Sequence, residues 1–181
     1  MGSMMLRLLA LLTLPSGAAL AQGVEDWAWL ETDAPAAWEV LTAAGDFCAA
    51  ETGGGALEIG TFGIVTTDLD GDIGTAAWGG PDDVVVDFNH IFCDRAVSLW
   101  AGTGGSPVYF VLDGTVARAW YGFGWEVERM SADLPAVILL ARHGGACDGA
   151  GAVPCVQAIV AEAGRFWTLR YPEEWEGFGA E

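Results

Sequence analysis

The stretch that decides the fold is VYFVLDGTVARAWY, residues 108–121. Two runs rich in β-branched and aromatic residues, 108–112 and 115–121, flank the dipeptide Asp113-Gly114. Both turn residues readily take the positive φ angles of a tight turn. The stretch therefore predicts a β-hairpin, and it is the strongest local signal in the chain.

One long helix is predicted upstream of this hairpin, over residues 34–51. Its apolar side chains recur at helical spacing, and one face carries Trp38, Leu41, Ala44 and Cys48. The pattern is typical of a helix that packs one side against a core.

The ends of this helix carry their own signals. Thr32 or Asp33 is suited to cap the first turn, where Pro35 is tolerated. Glycines 53–55 are expected to end the helix.

The remainder of the chain is dominated by strand patterns. They include a second predicted hairpin around Ala163-Gly164. The predicted fold class is α+β: one N-terminal helix packed on a twisted antiparallel β-sheet and stapled by disulfides.

The N-terminus resembles a secretory signal. A positive charge at Arg7 precedes an apolar run, and small residues follow at Ala19 and Ala21. The apolar run is shorter than the roughly 20 residues that span a bilayer. We therefore predict a signal peptide over residues 1–21, one globular domain over 22–171 and a flexible acidic tail over 172–181. The expected location is the periplasm or the exterior of the cell.

The charge of the chain is one-sided. It has 25 acidic residues against 7 basic ones, all of them arginine, and a net charge of −18. Such a surface repels nucleic acid and anionic lipid, so we expect no nucleic-acid partner and no membrane partner after signal cleavage. It favours cations or a basic protein instead. Without lysine, the chain also has no Walker-type phosphate loop.

Four cysteines, an even number in a chain predicted to be exported, favour two disulfides. Three pairings are possible. Cys147 and Cys155 are close in sequence and separated by a flexible segment, so their bridge is the easiest to close. That pairing leaves Cys48 with Cys93, a bridge that would tie the helix to the sheet.

A zinc site is the alternative use of these cysteines. His90 and Cys93 have HxxC spacing, and His143 and Cys147 have HxxxC spacing. Two histidines and two thiolates can hold a tetrahedral zinc ion. We favour disulfides, because thiols oxidise in an exported protein and the chain has no CxxC pair.

An acidic loop offers the main candidate site. Residues 66–88 read TTDLDGDIGTAAWGGPDDVVVDF, and the candidate calcium ligands are Asp68, Asp70, Asp72, Asp82 and Asp83. Alternate carboxylates on a coiled loop can converge on one Ca²⁺ ion, which takes six to eight oxygens. Gly71 permits the tight backbone that such a loop needs. The other interpretation is a solvated acidic turn.

The loop resembles the calcium loops of FG-GAP-type and related DxDxDG proteins. Asp68, Asp70, Gly71, Asp72 and Asp83 match that pattern, and the apolar strand VVVDF follows it. The segment 73–81 contains an insertion relative to the usual spacing. The resemblance implies calcium as the bound cofactor.

A looser resemblance extends along more of the chain. The order of a helix with Cys48, the DxDGD loop, VVVDF, GTGG, ARHGGAC and a final hairpin is similar to that of a group of exported, periplasmic bacterial proteins. Members often have two further cysteines flanking GTGG, where Ala101 and Ser106 stand in this chain. The group implies a compartment and a fold but no activity.

Catalytic patterns are weak in this sequence. Glu126 and Glu128 alternate on a predicted strand and are expected to share one solvated face, and Asp87 with His90 lacks an evident nucleophile. We therefore predict a calcium-binding structural or binding module that is not an enzyme. Two alternatives stay open: an inhibitor or binder of a basic secreted enzyme, and a metal-dependent hydrolase.

Overall fold

The structure is a computed structural model that describes residues 27–71, 83–131, 134–151 and 153–168. The predicted signal peptide and the predicted acidic tail lie outside these ranges. No helix in the described ranges combines the length and the apolar character needed to cross a bilayer.

Helices are confined to the first part of the described chain, apart from a 3-10 helix at Gly144–Cys147. The two α-helices are α1 (Leu30–Asp33) and α2 (Pro35–Thr52). The strands are β1 (Leu57–Ile59), β2 (Ile64–Thr67), β3 (Asp83–Asp87), β4 (Ile91–Cys93), β5 (Ser106–Leu112), β6 (Val116–Gly122), β7 (Gly124–Glu128), β8 (Val137–Arg142), β9 (Cys155–Glu162) and β10 (Arg165–Thr168).

In the described ranges, all strand pairs are antiparallel and form three sheets. The first four-stranded sheet has the order β2-β3-β5-β6, which we call the central sheet. The second has the order β10-β9-β8-β7, which we call the outer sheet, and β1 pairs with β4 in a two-stranded sheet. A sheet-rich α+β fold is therefore as expected.

Two hydrophobic cores lie on opposite faces of the central sheet. In β5, Tyr109 and Val111 point toward α2 and pack with its buried residues. Val108, Phe110 and Leu112 alternate with them and pack against residues of the outer sheet. The molecule thus stacks a helix, the central sheet and the outer sheet.

The prediction of one helix on a single sheet is not confirmed. Every residue of β3 and of β5 is buried. A strand that is buried throughout needs cover on both faces of its sheet, and one helix can cover only one face. The outer sheet supplies the second cover.

The helix bounds agree with the prediction to within one residue, but the predicted cap is wrong. Ala34 is the residue that precedes the first turn of α2, and its side chain makes no capping bond. The Ala36 N–H, which needs an acceptor outside the helix, donates to the Gly114 carbonyl at 2.9 Å. At the other end Gly53 takes a φ of 68° and stops the helix, as expected.

Both predicted hairpins are confirmed. Asp113 and Gly114 have φ angles of 49° and 66°, and they join β5 to β6. Ala163 and Gly164 have φ angles of 52° and 67°, and they join β9 to β10.

Both predicted disulfides are present. Cys48 in α2 is bonded to Cys93 at the end of β4, with Cα atoms 5.7 Å apart and both residues fully buried. Cys147 in the 3-10 helix is bonded to Cys155 at the start of β9, with Cα atoms 6.4 Å apart. The first bridge fastens the helix to the two-stranded sheet, and the second closes a short surface loop.

Candidate metal site

The candidate site lies where the acidic loop leaves and re-enters the central sheet. Thr67 at the end of β2 pairs with Asp83 at the start of β3, so Asp68 and Asp83 meet although the loop between them is long. One carboxylate oxygen from each of Asp68, Asp70 and Asp83 lies within 4.8 Å of the other two. The two other predicted ligands, Asp72 and Asp82, lie outside the described residues.

The chain alternates at this point between solvent and core. Leu69 is fully buried and packs in the core between the two large sheets. Asp68 and Asp70, on either side of it, are only partly buried. Anchoring the leucine turns the two neighbouring carboxylates to the same outer side, which explains the alternate spacing of the acids.

Asp83 is fully buried and has a structural role of its own. Its Oδ2 accepts the Leu69 N–H at 2.6 Å, and its Oδ1 accepts the Asp113 N–H at 2.9 Å. The carboxylate therefore holds the loop to the turn between β5 and β6. A carboxylate oxygen has more than one lone pair, so a hydrogen bond to it does not by itself exclude a cation.

Asp68 is bound to an arginine that the sequence analysis did not identify. The Arg129 Nη2 lies 2.8 Å from Asp68 Oδ2 and donates to the Asp68 carbonyl at 2.9 Å. The other oxygen of Asp68, Oδ1, accepts the Gly71 N–H at 2.7 Å, and Gly71 has a φ of 89°. Arg129 is thus a positive charge already in place at the acidic cluster.

The described cluster has three carboxylates and one guanidinium, so it retains a net negative charge. Carboxylate oxygens are the ligands that Ca²⁺ prefers, at about 2.3–2.6 Å. Bringing three of them together creates repulsion that a divalent cation would relieve, and Arg129 relieves part of it.

The other end of β3 has a buried carboxylate with different hydrogen-bond partners. Asp87 is nearly fully buried, at 3% exposure. Its Oδ1 accepts the Asn89 N–H at 2.9 Å and the Asn89 side-chain amide at 2.7 Å. Its Oδ2 accepts the Trp125 indole N–H at 3.1 Å. These three hydrogen-bond donors are all neutral groups.

Among the described contacts, no side-chain hydrogen bond joins the candidate catalytic residues Asp87 and His90. The Asp87 carboxylate bonds Asn89 and Trp125, whereas His90 is exposed and packs edge-on against Phe62, with ring centroids 5.7 Å apart. Glu126 and Glu128 are both exposed on β7, as expected for a solvated face.

The zinc alternative needs thiolates, and the two disulfides use all four cysteines. Cys48, Cys93 and Asp94 lie close together, but the two sulfurs are bonded to each other. His143 Nδ1 accepts the Gly145 N–H at 3.3 Å and so caps the 3-10 helix.

The resemblance to calcium-loop proteins stays a prediction at this point. No protein family, curated protein or solved structure matches this chain, so its function is inferred from its own residues.

Proposed function

We propose that this protein is an exported acidic module that binds one calcium ion at the mouth of the loop between β2 and β3. The observation that supports this proposal is the convergence of Asp68, Asp70 and Asp83 within 4.8 Å. The sequence separates Asp68 from Asp83 widely, and the pairing of β2 with β3 brings them together.

The compartment proposed for the module suits a weak calcium site. Disulfides such as the two in this chain form and persist in an oxidising environment outside the cytoplasm. Extracellular calcium modules bind at about 10⁻⁴–10⁻³ M. A site with three described carboxylates, one of them shared with an arginine, fits that range better than the range of a high-affinity buffer.

Thermal denaturation in a calcium titration tests the proposal. A ligand that binds only the folded state stabilises it by RT ln(1 + [L]/Kd), which at 10 mM calcium gives about 1.4–2.7 kcal/mol for this range of Kd. The midpoint of unfolding should then rise by about 3–10 °C in a chain of this length. Magnesium should raise it less, because magnesium requires a smaller octahedral cage and gives up its waters reluctantly.

Asp70→Asn is the variant of choice for this titration. It keeps the side-chain volume and removes one charge, while Asp83 with its two backbone hydrogen bonds stays intact. The variant should weaken the calcium response, because asparagine keeps one oxygen ligand but removes one negative charge. Asp148→Asn is the matched control, since Asp148 is exposed, lies in another loop and has a φ of 58° that asparagine tolerates.

Sodium chloride at matched ionic strength separates binding from charge screening. If sodium stabilises the protein as much as calcium does, or if both variants respond like the wild type, the loop is only a solvated acidic turn and the proposal is wrong.

A further inference from the structure

An open groove of about 610 Å³ lies between α2 and the strand β6. Its volume is within the range of sites that bind ligands. The helix contributes one face, and the strand contributes its first half. The lining residues that matter below are Glu39, Val40, Ala43, Tyr109, Ala117 and Arg118.

Among the described strands, the strand beside the groove, β6, is the last of the central sheet. On its inner side β6 pairs with β5, and Tyr121 is opposite Pro107. The Pro107 carbonyl accepts the Phe88 N–H at 3.0 Å, so the Pro107 backbone faces β3. In an antiparallel pair the opposite residue, Tyr121, then directs its own N–H and carbonyl away from β5.

The same alternation directs the backbone of Ala117 to the outer edge. Ala117 is partly exposed and lines the groove, whereas Ala119, two residues on, is 2% exposed. The accessible part of the edge is therefore short and centred on Ala117. The Arg118 guanidinium donates to the Ala117 carbonyl at 2.9 Å. Charged side chains are common on edge strands, where they oppose aggregation through strand pairing.

The groove combines an apolar floor with one exposed acid, Glu39 on the helix wall, and one exposed base, Arg118 on the strand, whose guanidinium donates to the Ala117 carbonyl. Val40 and Ala117 are partly buried against the core. Burial, and after it the neighbouring Tyr121, raises the pKa of the Tyr109 hydroxyl well above its ordinary value, so the floor is uncharged. Glu39 on the helix wall is exposed, and the first and last turns of α2 have no basic residue.

We propose that this groove receives a short extended segment of a basic protein, which adds a strand to the edge of β6 at Ala117. Strand addition supplies main-chain hydrogen bonds, and the helix wall contacts alternate side chains of the segment, which gives specificity. A lysine or arginine of the segment pairs with Glu39. The net charge of −18 selects a basic partner and opposes a second copy of the same acidic chain. This inference is independent of the calcium proposal.

The test uses the full oxidised chain and a fluorescein-labelled octapeptide of alternating valine and lysine, at 0.15 M salt so that distant charges are screened. Fluorescence anisotropy should show saturable binding, and a valine–glutamate octapeptide should not bind. Glu39→Gln should weaken binding at least fivefold. The matched control is Glu51→Gln, on the same helix and about 18 Å along its axis, which should change binding less than twofold.

Two uncharged variants test the strand edge. Ala117→Pro removes the outward N–H, a change that an edge strand tolerates, and should reduce binding at least tenfold. Ala43→Phe fills the groove from the exposed helix wall, leaves the residues of β6 unchanged and should also reduce binding at least tenfold, so a folding defect in one variant leaves the other informative. In hydrogen exchange, the peptide should protect the Ala117 amide.

Equal weakening by Glu39→Gln and Glu51→Gln would overturn the inference, because the peptide would then respond only to total charge. Binding that survives both Ala117→Pro and Ala43→Phe would also overturn it. A dimer of the free chain that is lost in Ala117→Pro would assign the edge to a second copy instead. Failure of calcium binding, in contrast, would leave these results unaffected.

Discussion

The two ends of β3 each have a buried aspartate, and the two carboxylates have different surroundings. Asp83 accepts two backbone N–H groups from distant parts of the chain and lies beside Asp68 and Asp70. Asp87 accepts bonds from Asn89, two residues away, and from the Trp125 indole. Both are satisfied acceptors in the same strand.

The comparison teaches that burial of a carboxylate does not by itself indicate a metal site. A buried acid needs hydrogen-bond donors, and both aspartates have them. The Asp83 end differs because Asp68 and Asp70 converge there with Asp83, and Arg129 forms an ion pair with Asp68. Calcium binding is therefore proposed for the Asp83 end alone.

The largest expected effect belongs to Asp83→Ala. The substitution leaves the Leu69 and Asp113 N–H groups without their acceptor, and hydrogen bonds to a charged group contribute about 1.5–3 kcal/mol each. The free energy of unfolding, measured in urea, should fall by about 3 kcal/mol or more. A loss below about 1 kcal/mol would mean that this carboxylate does not hold the loop to the hairpin.

Asp87→Ala should destabilise less. The Asn89 groups that bond this carboxylate are partly exposed and can form hydrogen bonds with water instead. The free energy of unfolding should therefore fall by about 2 kcal/mol in the same urea experiment. The calcium-induced rise in melting temperature should stay at its wild-type size. If it disappeared in this variant, the distinction between the two ends of the strand would not hold.

Arg129→Gln should have the smallest effect on stability. The Arg129 and Asp68 side chains of this ion pair are 27% and 18% exposed, and we expect the pair to contribute about 1 kcal/mol. The same change frees Asp68 from a competing cation, so calcium affinity should rise by about fivefold for each 1 kcal/mol that the arginine contributed. Melting curves at several calcium concentrations measure both quantities. Weaker calcium binding in Arg129→Gln would show that the arginine supports the site instead of competing with the ion.

Local features of the fold were predictable from the sequence. The two hairpin turns depend on adjacent residues, and the Cys147–Cys155 bridge on a short loop. The helix cap was not predictable, because its acceptor is the carbonyl of Gly114, far along the chain. The second large sheet did have a signal: the run SPVYFVL in β5 is apolar almost throughout, which indicates burial on both faces.

The candidate site was predictable only in part. The spacing of Asp68 and Asp70 and the position of Asp83 before an apolar strand identified the three carboxylates that converge. The insertion in the loop does not separate them, because the strand pairing fixes both ends. Arg129 is 61 residues from Asp68, and no rule of spacing connects a residue that directly follows β7 with this loop.

The most direct test of the calcium site follows individual amides in a ¹H–¹⁵N NMR titration of chelator-treated protein. The Leu69, Gly71 and Asp113 N–H groups bond to the candidate ligands, whereas the Asn89 N–H bonds to Asp87. Calcium should shift the first three amides saturably, with one binding constant, and leave the Asn89 amide in place. If none of the three moves, or if Asn89 and other amides beside exposed acids move to the same extent, calcium has no specific site at this loop.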